Sequence, residues 1–294
     1  MSVTIIINPI SGGASPEQAR ARAQLASAVV DRHGDPVEVF VTEGRGHARE
    51  LARAAVRRGA RLVISWGGDG TLNEVASALA FQEDVALGLV PAGSGNGFAR
   101  ELGVDMTAER AIADAIRAEP RPIDLGEVDD RLFVNVAGFG FDAFVAAEFD
   151  KRGSRRGFAG YVAITARALF TYVPQRYTIT TAGGCQVSRA ILVTVANSAQ
   201  FGNGARIAPR ALLDDGLLDL VVVEERARWR TICNVPRLFD GTVERIPGCS
   251  ICHIEGTTID SDRPLLFHVD GEPVQGGNRA RIRIHPAALR VAVK

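Results

Sequence analysis

Val63-Ile64-Ser65-Trp66-Gly67-Gly68-Asp69-Gly70-Thr71-Leu72-Asn73-Glu74-Val75 decides the fold of the first half of this chain. An apolar strand runs into Gly-Gly-Asp-Gly, and Thr71 opens a helix that continues through Val75, Ala76 and Leu79. Gly67, Gly68 and Gly70 let backbone N–H groups approach an anion closely, because no Cβ stands in the way. The helix start adds unpaired N–H groups and the positive end of a dipole, which favour phosphate. The segment reads as a nucleotide phosphate loop with a built-in acid, Asp69. The bland alternative is a tight strand-to-helix turn, where Gly and Asp are common anyway.

Outward from that loop, strand and helix signals alternate through residue 122, the pattern of a parallel α/β sheet. Strand Val3–Ile7 leads through Asn8-Pro9-Ile10-Ser11-Gly12-Gly13 to a helix announced by Ser15-Pro16-Glu17-Gln18, an N-cap, an early proline and a capping-box glutamine. Strand Val37–Val41 ends at Thr42, strand Arg61–Trp66 carries the glycine loop, and strand Val85–Val90 ends at Pro91-Ala92-Gly93-Ser94-Gly95-Asn96. In such sheets ligands sit outside the carboxyl ends of the strands. Asn8–Gly13, Thr42, Gly67–Asn73 and Gly93–Asn96 all fall there, which makes turns alone an insufficient account of them.

Beyond Pro122 the rhythm becomes short alternating β segments, interrupted by one helix at about Ala159–Phe170. These predict a β-rich, sandwich-like second domain, so the expected division is 1–122 and 123–294. Acidic and basic residues balance at 34 each, so no global basic field argues for nucleic acid. Lys151 and Lys294 are the only lysines, and none follows the glycines of the loop, as a Walker-type phosphate site requires. Phosphate must then be held by backbone, hydroxyls, metal or Arg. Neither a leader sequence nor an apolar run near the roughly 20 residues of a membrane span is evident, so a soluble, cytoplasmic protein is expected. Cys185, Cys233, Cys249 and Cys252 are too scattered for a disulfide framework. Cys249-Ser250-Ile251-Cys252-His253 matches a short haem or half-zinc pattern but alternates like a strand. The basic run Lys151–Arg156 ahead of apolar Phe158–Phe170 reads either as a solvated loop or as a contact with anionic headgroups.

Asn8-Pro9-x-Ser11-Gly12-Gly13, Gly67-Gly68-Asp69-Gly70-Thr71-Leu72-Asn73-Glu74 and Pro91-x-Gly93-Ser94-Gly95-Asn96 stand in an order and at spacings that resemble the diacylglycerol kinase catalytic-domain family. That family includes bacterial lipid kinases and sphingosine and ceramide kinases. The resemblance continues through Asn135–Ala143, Asp214-Asp215-Gly216-Leu217-Leu218-Asp219 and Asp270-Gly271-Glu272, and so covers almost the whole chain. It implies an ATP-dependent kinase acting on a lipid hydroxyl, with an α/β first domain, a β-rich second one and an active site in the cleft between them. By position, Thr42, Gly67, Gly68, Asp69, Gly70, Thr71, Leu72, Asn73 and Ser94 would bind ATP, with Asn8, Ser11 and Asn96 nearby. Glu272 would accept the proton of the attacking hydroxyl with Asp270 as its partner, although the residues alone do not choose between them; Asp69 is a third candidate, facing that hydroxyl or helping to hold magnesium. Asp215 would anchor a family Mg2+ site with the carbonyls near Leu212 and Leu217, an all-oxygen set that suits this ion. The implied partners are a lipid presented at a membrane surface, with peripheral contact at the inner face, no nucleic acid, and a homodimer allowed.

The chain departs from the family pattern at Gly97, where members often carry Asp, and a small residue there is closer to sphingosine-type kinases. The acceptor lipid therefore stays open. The Gly-Gly-Asp-Gly-Thr loop also resembles that of NAD kinases and, more loosely, phosphofructokinases, so a soluble acceptor is the enzymatic rival. A lipid- or nucleotide-binding protein without catalysis is the other, opposed by the presence of Asp69, Asp215, Asp270 and Glu272.

Overall fold

Strands that are apolar on both faces build the first part of the chain. In the computed structural model, which describes residues 2–34, 36–151 and 158–294, the chain divides into two compact units, Met1–Ile123 with Ala287–Lys294, and Asp124–Pro286.

The first unit runs β1 (Val3–Ile7), α1 (Pro16–Asp31), β2 (Val37–Val41), α2 (His47–Arg57), β3 (Leu62–Gly67), α3 (Asp69–Leu79), β4 (Ala86–Pro91), α4 (Gly97–Glu101) and α5 (Ala108–Arg117). Its strands are parallel in the order β4-β3-β1-β2. β1 and β3 are buried along their whole length, as parallel strands covered on both faces must be. Ile5, Ile7, Ile64 and Trp66 pack with Val29, Val30 and Ile112 in the core. The capping box expected at Ser15 is present: Ser15 Oγ accepts from Gln18 N and Gln18 Oε1 from Ser15 N at 2.8 Å. From β1 the chain moves to β2 on one side, and β3 and β4 lie on the other, so β1 and β3 flank the topological switch point where α/β sheets open a crevice. Sequence placed the start of α3 at Thr71; it begins at Asp69, with Gly68 as a cap that has no side chain to announce it.

The second unit is mostly antiparallel. Its elements are β5 (Arg121–Val128, entering from the first unit), β6 (Arg131–Phe133), β7 (Val136–Gly140), α6 (Phe141–Lys151), α7 (Phe158–Thr171), β8 (Gln175–Thr181), β9 (Gly184–Ala196), β10 (Gln200–Gly202), β11 (Ala205–Arg206), β12 (Leu218–Glu224), α8 (Arg228–Asn234), β13 (Cys249–Ile254), β14 (Gly256–Ser261), β15 (Leu266–Val269), β16 (Glu272–Gln275) and β17 (Arg279–Val291). Strands follow the order β16-β15-β7-β9-β8-β14-β17, with β12 joining β9 to β13. Phe139 stacks on Phe267 at 5.4 Å in a core shared with Tyr177, Val193, Leu220 and Ile282.

The α/β first half and the β-rich second half agree with expectation. Several elements differ from it. β7 was hidden by its glycines, yet it pairs with both β9 and β15. α6 and α8 were not anticipated, and the stretches Arg281–Ile284 and Leu289–Val293, which alternate like two separate strands in the sequence, join in the single strand β17. Its last residues, assigned by sequence to the second domain, lie with the first unit, where Val291 pairs with Leu87 of β4. The Cys249–His253 run forms β13. Of the basic run Lys151–Arg156, residues 152–156 lie outside the described residues.

Candidate active site

At the switch point of the first unit, the loops after β1, β3 and β4 are bonded into one structure. Asn8 Nδ2 donates to Thr71 Oγ1 at 2.8 Å, tying the loop after β1 to the first turn of α3. Ser11 Oγ donates to Asn8 O, and Arg22 from α1 holds both Ser11 Oγ (3.2 Å) and Ser11 O (3.1 Å). Burial lowers the Arg22 pKa, and its guanidinium lies 6.0 Å from the Trp66 ring. Gly68 and Gly93 meet backbone to backbone: a Cβ on Gly93 would fall 2.6 Å from Gly68 Cα and 2.9 Å from Asn96 Oδ1. Only glycine lets these two loops close on each other. Asn96, in the left-handed region at φ +48°, closes the Gly93–Asn96 turn by accepting from Gly93 N (2.8 Å) and donating to Gly93 O (2.9 Å).

The first turn of α3 supplies the amides of Asp69, Gly70 and Thr71, which have no acceptor within the helix. The Asp69 carboxylate leans over the neighbouring loop, with Oδ2 3.2 Å from where a Gly95 Cβ would stand. Gly67, Gly68, Asp69 and Asn96 form the polar side of a small depression with Ser65, whose buried Oγ lacks a protein partner, and Leu72, Leu89, Val90, Pro91 and Ala99 form its apolar side. That orphaned hydroxyl and the Cβ-free wall fit an oxygen-rich ligand. Thr42 is buried beside this edge, its amide donating to Ile7 O. Ser94 is exposed at its loop tip. Leu72 and Asn73 are buried, and Leu72 stands in the wall of the depression. Glu74 serves the scaffold instead, taking Gly46 N (2.8 Å) and Ala48 N (3.1 Å) to cap α2.

In the second unit the acidic motif sits on the hairpin between β15 and β16. Val269 pairs with Glu272, leaving Asp270 (φ +47°) and Gly271 (φ +85°) as a two-residue type I′ turn. The Asp270 carboxylate is buried and accepts three backbone N–H groups: Val134 at 2.9 Å on Oδ2, Asn135 at 2.9 Å and Val136 at 3.0 Å on Oδ1. Glu272, the next acid, is exposed at the head of β16. His268 locks the same turn from beneath. Its Nδ1 accepts Gly271 N–H at 3.2 Å, so the ring proton is on Nε2, which donates to Asp142 Oδ2 at 3.1 Å. Asp142 also accepts from Ala143 N at 2.8 Å. The pair fits only because position 138 is glycine, where a Cβ would stand 1.8 Å from Asp142 Oδ2.

Asp215 lies in an exposed turn, its Oδ1 accepting Leu217 N at 3.0 Å. Gly216 N donates to the buried Asp124 at 2.7 Å, and Asp124 N to Leu213 O at 2.7 Å. Asp215, Asp124 and the carbonyls at Leu212 and Leu217 offer oxygen alone, the chemistry magnesium takes. Burial pushes the Asp219 carboxyl up, His253 draws it back, and the charge of Asp215 adds to the rise. Among the described residues no three His, Cys, Asp or Glu side chains form a metal cluster, so magnesium here would depend on carbonyls and water.

To the loops and acids named from sequence the structure adds Arg22, Ser65, Asp124, Asp142 and His268 as residues bonded to them or lining the same depression. Asp142, His268 and Ser65 lay within or beside quoted motifs, whereas nothing near Arg22 in the chain signals it.

Comparison with known proteins adds relatives for both halves. Residues 2–128 match the family model for the diacylglycerol kinase catalytic domain, and residues 135–293 match that for the YegS C-terminal NAD kinase beta sandwich-like domain. A protein of Cronobacter sakazakii named "Probable lipid kinase YegS-like" is 32% identical over 273 residues, covering 87% of this chain and 86% of the relative. One of Salmonella newport, named "Probable lipid kinase YegS", is 31% identical over 262 residues with the same coverage. Among solved structures, a diacylglycerol kinase from Bacillus anthracis superposes with a TM-score of 0.75 at 20% identity, covering all of this chain and 97% of that one. Yeast NADH kinase shares the fold more distantly, with a TM-score of 0.56 at 11% identity over 100% and 83% of the two chains.

Proposed function

The chain belongs to the diacylglycerol kinase catalytic-domain family and is a kinase, and from that premise we propose that it moves the γ-phosphate of ATP, with magnesium, to a hydroxyl of a membrane lipid. The observation that carries the nucleotide half of this reading is the Gly68–Gly93 contact between the loops after β3 and β4, a backbone cradle with no lysine in it. The names of the curated relatives support the lipid half.

The amides of Asp69, Gly70 and Thr71 and the hydroxyl of Ser65 would hold phosphate oxygens, with Asn8 and Asn96 fixing the loops that carry them. Magnesium, held by Asp215, Asp124 and neighbouring carbonyls or by Asp69 at the nucleotide, would supply charge neutralisation. Glu272 would take the proton of the lipid hydroxyl as its oxygen bonds to the γ-phosphorus and the bond to the ADP oxygen breaks. Asp270 would act as a positioning residue, because its oxygens are engaged by three amides that fix the turn under Glu272. Gly97 leaves diacylglycerol and sphingoid acceptors both in play.

The test is transfer of labelled γ-phosphate from magnesium-ATP in mixed micelles. The panel holds diacylglycerol, monoacylglycerol, phosphatidylglycerol, sphingosine and ceramide, with NAD and fructose 6-phosphate as soluble controls. A labelled lipid that disappears with Glu272→Gln is the expected result. Label on NAD alone would replace this reading with the NAD-kinase-like one, and ATP binding without transfer to any acceptor would indicate a binding protein.

A further inference from the structure

α8 is a helix that buries none of its residues. A helix of 7 residues has little stability of its own in water, so an apolar set left on its outside points to a partner that covers it. Trp229 is 63% exposed and Ile232 45%, and just beyond α8 Val235 is 39% and Phe239 56% exposed. The end of α7 adds Phe170 at 64% and, after it, Val173 at 59%. A groove lined by Leu169 and Val173 on one side and Arg228 and Thr231 on the other joins the two segments into one surface.

The charge on this surface selects its occupant. Arg228 and Arg230 flank Trp229 at exposed positions and Arg237 follows, whereas Arg226 is paired with Glu224 at 2.9 Å, and Glu225 and Asp240 bound the stretch. Arg230 lies 5.1 Å from the Trp229 ring centroid, so cation and aromatic are presented together. Trp and Phe beside Arg on a short exposed helix is the composition that seats at a headgroup boundary, with rings at the level of the acyl ends and cations among the phosphates. We infer that α8 and the end of α7 form a docking surface for an anionic phospholipid bilayer.

This deepens the lipid-kinase reading and rests on it for its purpose, since an acceptor held in a bilayer must be met there. The experiment needs no turnover. The whole protein is floated with vesicles of phosphatidylcholine alone and of phosphatidylcholine with phosphatidylglycerol. Partition to the anionic vesicles alone is expected. Arg228→Ala with Arg230→Ala should weaken it about thirty-fold at low salt, and high salt should weaken the wild type similarly. Trp229→Ala with Phe239→Ala should weaken it at least tenfold at any salt; all four side chains are exposed, and an unchanged circular dichroism spectrum confirms the fold. Absence of binding to anionic vesicles, or binding that both double variants retain, would overturn the inference. So would a homodimer that the Trp229→Ala variant dissociates. Flotation that persists while label moves only to a soluble acceptor would remove the lipid-kinase reading and leave the bilayer surface standing.

Discussion

Replacing Asp270 by Asn separates two roles that the acidic hairpin offers. Asn tolerates the left-handed backbone at this position (φ +47°), so the turn itself is not the variable. The amide oxygen can take only one side of the carboxylate. Placed at Oδ1 it keeps Asn135 N–H and Val136 N–H, but as neutral bonds, each weaker by about 1 kcal/mol than the charged ones. The NH2 group then faces Val134 N–H, leaving a buried donor without an acceptor at a cost of about 2 kcal/mol. The sum is a loss of about 4 kcal/mol from the second unit, or a urea midpoint lower by about 1.5 M for an m-value near 2.5 kcal/mol/M. Glu272→Gln is the comparator: exposed, it should stay within about 0.5 kcal/mol of wild type while phosphate transfer is lost. Denaturation followed by circular dichroism, with transfer measured on the same preparations, decides the matter. An Asp270→Asn protein as stable as wild type would refute the clamp. If it were also inactive, Asp270 would belong at the reacting hydroxyl.

Other expectations follow from the same geometry. Gly93→Ala would place a Cβ 2.6 Å from Gly68 Cα; prising the loops apart should cost about 1–3 kcal/mol and weaken ATP binding at least tenfold by calorimetry, and unchanged affinity would count against the phosphate cradle. Burial tends to raise the Glu127 carboxyl, but its paired bonds to Arg283 at 2.9 Å and its contact with His285 outweigh this and hold it low. A depressed folded pKa gives stability that is present above the ordinary carboxylate range and lost as pH falls through it. Glu127→Gln should therefore flatten the acid limb of a melting-temperature profile, and an identical limb in both proteins would remove Glu127 as its source. Burial, with Glu244 nearby, pushes the Cys249 thiol up to about 11, whereas Cys185 is exposed. Alkylation near pH 8 followed by peptide mapping should label Cys185 at least tenfold faster, and equal rates would contradict the burial of Cys249.

Much of the fold was legible because its signals are local. A parallel strand buried on both faces needs a nearly continuous apolar run, and Val3–Ile7 and Leu62–Trp66, each with one small hydroxyl residue (Thr4, Ser65), are such runs. Glycine and asparagine at strand ends mark the ligand edge because backbone approach and positive φ demand those residues whatever surrounds them. The acids Asp69, Asp215, Asp270 and Glu272 were likewise visible as residues, grouped by motif. Strand β7 was not, since Gly138 and Gly140 read as a loop until β9 and β15 pair with it. Nor was the start of α3, which has no capping side chain to reveal it.

By itself the sequence determined the class of each half, the switch-point loops and the identity of the acids, for each of these is written in neighbouring residues. What each acid does was decided by tertiary structure. Asp270 becomes a clamp only because Val134, Asn135 and Val136 arrive more than a hundred residues away in the chain. His268 acquires its tautomer only from Gly271 on one side and Asp142 on the other, and the exposure of α8 depends on what fails to pack against it. Hydrogen-bond direction and burial are properties of spatial neighbours, and spacing along the chain does not carry them.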